Sequence, residues 1–128
     1  MSTNVLLAQL RKRREKKVDL GDGKSVTFLR PPESEMVQML GGDGETRTWT
    51  VGLDQVRKYV VGWAGFTEAD LLGAGIGGSD PVEFNAELWL EVCADDIAWI
   101  NQIGSAILSS VVEHLSAKEE TAKNSVPA

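Results

Sequence analysis

Cysteine is all but absent from this 128-residue chain: Cys93 stands alone. That excludes an internal disulfide framework and any cysteine-based metal cluster, and predicts a reducing compartment. Its place beside an apolar stripe predicts a buried hydrophobe rather than a nucleophile. Histidine is equally scarce. A carboxylate metal site in a helix bundle needs Glu-x-x-His on facing helices; here His114 is the one imidazole and directly follows Glu113. Near the end of the last expected helix, it is expected to meet that helix's dipole rather than serve as ligand or base. Long apolar runs are also missing. "IAWINQIGSAILSSVV" is broken by Asn101, Gln102 and three serines, so no membrane span is expected. "VLLAQL" precedes the basic run instead of following it, the reverse of a secretory signal. Phosphate-loop spacing is absent too: "GDGK" is too short, and "GAGIGG" runs into Ser-Asp-Pro. "DLGDGKS" lacks the terminal Glu of a calcium loop, and nothing has the pattern of a nucleophile elbow. No catalytic residue, metal or cofactor is therefore expected.

Charge is unevenly placed. Residues 59–117 hold no Lys or Arg against nine Asp or Glu, while "RKRREKK" at 11–17 sets six basic side chains against Glu15. The net charge is −6. A positive end and a negative body suit salt-sensitive contact between one copy's arm and another copy's body, or with a separate charged partner. Clustered Lys and Arg can displace counterions from nucleic-acid phosphates, but no aromatics are interleaved for stacking and the rest of the chain is acidic. Arg11, Arg13, Arg14 and Lys17 are accordingly candidate protein-contact residues.

"DPVEFNAELWLEVCADD" at 80–96 carries six carboxylates and no basic residue. Asp80, Pro81 and Glu83 read as the cap, first turn and capping box of a helix. At helical period Phe84, Leu88 and Val92 share one face, with Trp89 and Cys93 beside them. Glu83, Glu87 and Glu91 recur at steps of four on another. Each such like-charge step costs about 0.2–0.5 kcal/mol, so the stripe is either a solvated face or a surface for a basic partner.

The other elements follow from pattern. Asn4 to Lys17 reads as a short helix. "VDLGDGKSVTFLR" alternates around a Gly-rich turn as a β-hairpin, which on its own is marginal and must pack or pair further. "PPESEMVQML" starts a helix that ends at Gly41, and "GGDGETRT" reads as a loop. Thr48–Val51 reads as extended. A helix from Leu53 puts Val56, Val60 and Trp63 on one face with Arg57 and Lys58 opposite. A short helix at Thr67–Leu72 is capped by Thr67. A last helix capped by Asp95 or Asp96 has Ile100, Ile103, Ile107 and Val111 as its core stripe, with Gly104, Ser105 and Ser109 small enough for close helix approach. The expected architecture is mainly α: a basic helix or arm at 1–17, one helical domain with an N-terminal hairpin at 18–117, and a flexible polar tail at 118–128.

The order of these elements, with "FLRPP", "VVGW", "DPVEF" and "ELW", resembles the tail assembly chaperones of long-tailed bacteriophages over about residues 17–117. The resemblance implies a non-enzymatic protein of the host cytoplasm. It would coat and solubilise the tape measure protein, self-associate, help recruit the tail tube protein and leave before the virion is finished. Trp89 and Trp99 would then hold the C-terminal helices together or touch the client. Structural neck or tail-completion proteins, and a small nucleic-acid binder acting through the basic arm, are the competing readings.

Overall fold

A computed structural model describes residues 1–41, 48–73 and 75–124. The chain opens with α1 (Thr3–Arg13), whose first turn is closed by Ser2 Oγ accepting from the Val5 amide at 3.2 Å. Arg11, Lys12 and Arg13 in its last turn complement the helix dipole. The helix stops at Arg13 rather than Lys17, because Glu15 onward is taken up by pairing. Strands β1 (Glu15–Gly21) and β2 (Lys24–Leu29) form the expected hairpin, with Val18 opposite Val26 and Lys16 opposite Phe28. Gly21, Asp22 and Gly23 all have positive φ, and Asp19 Oδ1 accepts from the Gly21 amide at 2.8 Å. Asp and Gly are the residues that tolerate such a turn.

After α2 (Glu33–Met39) come β3 (Leu40–Gly41) and β4 (Thr48–Trp49), a two-residue pair that leads into α3 (Leu53–Tyr59). The loop expected between them has residues 42–47 outside the described residues. Instead of continuing to Trp63, α3 gives way to β5 (Val60–Ala64), which pairs with β2 as the third strand of an antiparallel sheet in the order β1-β2-β5. Val56, Val60 and Trp63 do have helical spacing. Two β-branched residues and Gly62 nevertheless favour the strand once an open edge of β2 is available to satisfy their backbone groups. Gly65, at φ +81°, ends this strand against the hairpin turn, where a Cβ would lie 2.1 Å from Gly23 O. Only glycine fits there.

Thr67 caps α4 (Glu68–Leu72) as expected, in a reciprocal capping box with Asp70. The segment at 80–84 is not the start of a helix. Val82 N–H donates to Phe66 O at 2.8 Å, Asp80 O accepts from the Glu68 amide at 3.1 Å, and Thr67 bridges Pro81 in antiparallel fashion. These contacts hold the stretch extended, and helix α5 (Ala86–Asp95) begins later. Its cap is Asn85, whose Oδ1 accepts from the Glu87 and Leu88 amides at 2.9 and 3.1 Å. Asp96 caps α6 (Ile97–Asn124) through the Trp99 amide at 3.0 Å.

Helix α6 crosses the body. Ile103, Ile107 and Val111 are wholly buried, in one core with Val26 and Phe28 of the sheet, Met36 and Met39 of α2, Val56 and Tyr59 of α3, and Trp89 and Cys93 of α5. Ile100, expected in that stripe, is half-buried at its edge. Gly104 faces α3, where a methyl group would sit 3.6 Å from Val51 O and 3.7 Å from Val56 Cγ2. Ser105 and Ser109 face solvent instead, since the helix turns them away from that contact. The helix also continues through 118–124, where a flexible tail is expected from composition; residues 125–128 of that tail lie outside the described residues. Ala117, Lys118, Glu119, Glu120 and Ala122 are good helix formers, and Lys118 Nζ bonds both Glu33 oxygens at 2.8 and 2.9 Å. His114 is consequently mid-helix, its Nε2 2.9 Å from Glu33 Oε2, and does not sit at the helix end.

Candidate partner-binding surfaces

The basic run is divided by the switch from helix to strand. Arg11, Lys12 and Arg13 close α1, whereas Lys16 and Lys17 belong to the edge strand β1; all five are exposed. Arg14, at the switch, is half-buried, and its carbonyl accepts from the Arg30 amide at 2.7 Å. Arg30 adds an unforeseen charge. Its side chain is buried and donates Nη1 to Pro31 O at 2.8 Å. Burial lowers its pKa, repulsion from Arg14 and Arg13 adds to this, and Glu33 opposes it. A cleft of about 340 Å³ separates Arg13, Lys16 and Arg30 from Ser110, Glu113 and His114 of α6.

Among the described residues nothing buries helix α1. Every residue in it is exposed, including Val5 at 46%, Leu6 at 47%, Leu7 at 54% and Leu10 at 49%. Leu6, Leu7 and Leu10 lie on one side at helical spacing, and Arg13 and Arg14, three and four residues after Leu10, continue that side.

At the acidic end the expected stripe moves along the chain. Glu83 is exposed but precedes α5; the carboxylates that recur every four residues on the helix are Glu87, Glu91 and Asp95, all exposed. Trp89 points into the core at 2% exposure, with its indole N–H lacking a hydrogen-bond partner among the described residues. Its ring packs in the core with Cys93 and the isoleucines of α6 rather than on the surface. Cys93, one turn on, is also in the core, and burial raises its thiol pKa, offset in part by the neighbouring Arg57. Arg57, expected opposite the packed face, is half-buried beside Cys93 instead, and its Nε has no hydrogen-bond partner among the described residues. Trp99 is half-buried, edge-on to Phe66 at 5.4 Å. Trp63 stacks on Phe66 at 4.7 Å, meets Phe84 edge-on at 5.2 Å and donates Nε1 to Val82 O.

With Trp89 and Cys93 turned inward, Leu88 is left 40% exposed on the flank of α5 instead of in the core. Together with Leu71 and Leu72 of α4, and Val92 and Trp99, it forms an apolar groove of about 730 Å³ edged by Asp70, Glu91, Asp95 and Asp96. Asp70 is occupied by Lys24 at 3.2 Å and by Thr67, and Asp96 by its cap. Glu91 and Asp95 have no ion pair among the described residues. Of the sequence candidates, only Glu91 and Trp99 belong to this groove. The leucines were missed because their contribution depends on α4 folding back beside α5, which no local period encodes. "ADLLG", a leucine pair closing a very short helix, was the one available signal.

Among the described residues no group of three or more His, Cys, Asp or Glu is placed to hold a metal ion, and no helix is long and apolar enough to cross a membrane. No family model matches the chain, and neither a curated protein nor a solved structure matches it.

Proposed function

We propose that this protein is a non-enzymatic assembly chaperone of the phage-tail kind, which covers apolar helical segments of a tape measure protein to keep it soluble, assists tail tube assembly and is absent from the finished virion. The observation that carries this reading is surplus apolar surface on a body whose core is already complete. Leu90 at 44% and Ile97 at 75% exposure flank the α5–α6 junction beside the carboxylates of α5. Apolar side chains rimmed by charge are what a transient holder of an amphipathic helix presents. The order of elements that resembles tail assembly chaperones points the same way, and the working place would be the host cytoplasm.

Co-expression with the long helical protein encoded immediately downstream tests it. A soluble complex with several copies of this chain per client, seen by size-exclusion chromatography with light scattering, is the expected result, and Leu90→Asp with Ile97→Asp should abolish it. A client that stays insoluble while this protein elutes alone would defeat the reading. The cleft bordered by Arg13, Lys16 and Arg30 favours nucleic acid as the rival. Binding that falls steeply with salt and with Arg13→Ala would support that rival. A permanent neck or tail-completion piece would instead persist in finished particles.

A further inference from the structure

We infer that α1 of one copy docks into the acid-edged groove of a second copy, joining chains head to tail. The two surfaces match in kind. Leu6, Leu7 and Leu10 form an exposed apolar side that runs into Arg13; the groove offers Leu72, Leu88, Val92 and Trp99, with the carboxylates of Glu91 and Asp95, which have no ion pair among the described residues, along its edge. They match in length as well. The 11 residues of α1 span about 16 Å and the 10 of α5, which forms the groove's long wall, about 15 Å. Apolar contact would supply the affinity, and the charges would set orientation and speed of encounter.

Docking within one chain is excluded by distance. The foot of α1 is fixed by the Arg30 amide bonding Arg14 O, and Arg13 borders the same cleft as His114 of α6. The groove is at Trp99, 15 residues earlier on that helix, about 22 Å away at the helical rise per residue. A helix of about 16 Å rooted there cannot lie along it. Donor and acceptor surfaces at opposite ends of one molecule make a heterologous contact, which extends into an open series rather than closing as a pair.

The test uses two full-length variants: Leu6→Asp with Leu10→Asp, which spoils the helix, and Leu72→Asp with Leu88→Asp, which spoils the groove. Light scattering at low ionic strength should show wild-type mass rising with concentration past two chains. Each variant should stay monomeric, its association weakened at least about tenfold. An equimolar mixture of the two should give a two-chain species and nothing larger, because one intact helix meets one intact groove. The inference is overturned by a wild type that remains monomeric or stops at two chains, by a helix variant that still extends, or by a mixture that does not pair although both variants keep the wild-type circular dichroism. If the groove variant unfolds, Glu91→Lys with Asp95→Lys, both at exposed positions, replaces it in the same mixture. This inference does not rest on the chaperone reading: a monomer that still solubilised its client would defeat the inference and leave that reading standing.

Discussion

The two ends of α6 face different neighbours. Toward Trp99, helix α6 is flanked by α4 and α5, and its surroundings are acidic and apolar. Toward His114 and Ala117 it borders the foot of α1 and the end of β2, and the charges there are mostly basic. Both ends carry exposed leucines, yet only one has a fold around them. The leucines of the groove stand on elements anchored by Trp89, Cys93 and Phe66. Those of α1 stand on a helix with no buried residue. Exposed apolar surface therefore means something different at each end: a shaped receptor at one, a detached ligand at the other.

Core truncation should produce the largest effect and confine stability to the body. Ile103→Ala or Phe28→Ala, both at positions 2% exposed or less, should cost about 2–5 kcal/mol in urea unfolding. Leu7→Ala in α1 removes a side chain of similar size and should cost no more than about 0.5 kcal/mol under monomeric conditions. If the two costs were comparable, α1 would be packed on its own chain and the contrast would collapse.

Gly65→Ala should come next. A β-carbon there meets Gly23 O at 2.1 Å on a backbone already at φ +81°. A loss of about 1–3 kcal/mol is expected, read as a shift in the urea midpoint; Gly104→Ala, where the same carbon has ordinary contacts, should be far milder.

Acid sharpens the comparison at the basic end. Hydrogen bonds from Lys118 and then His114 hold the Glu33 carboxyl at about 2, and Lys58 followed by the Tyr59 hydroxyl lowers that of Glu35. A carboxyl depressed in the folded state contributes stability that is present above its unfolded pKa and is lost as pH falls through the folded value. The tie from α2 to α6 should therefore weaken between about pH 4.5 and 2. Urea midpoints across that window should fall less in Glu33→Gln than in the wild type. Equal slopes would show that the contact contributes nothing.

The smallest change expected is chemical reactivity. Cys93 is 1% exposed and burial raises its pKa, so a thiol reagent should label it only at the rate of unfolding.

Local signals were legible wherever they acted alone. "GDGK" announced the hairpin because Gly and Asp tolerate positive φ. Thr67 and Asp96 announced helix starts through their own oxygens, and the isoleucine stripe of α6 was readable because a 28-residue helix repeats its period many times. Signals failed where two elements competed for the same residues. Val60–Ala64 had helical spacing but was captured by β2. Asp80-Pro81 had a cap signature but was captured by Phe66 and Glu68, which left Asn85 to cap α5. Half of the charge pattern survived this: the segregation of basic and acidic ends was visible, but the acidic stripe proved to be Glu87, Glu91 and Asp95.

The sequence by itself determined the hairpin, the α6 core stripe, the buried cysteine and the opposition of charge along the chain. Each of these rests on neighbours within a few residues or on a sum over composition. Only the tertiary structure decided that "VVGW" is a strand, that Trp89 is interior while Leu88 is not, and that Arg30 joins the basic end. Those outcomes depend on which distant backbone groups and apolar faces become available when the sheet and α6 come together. A local period cannot specify the partner that will satisfy it.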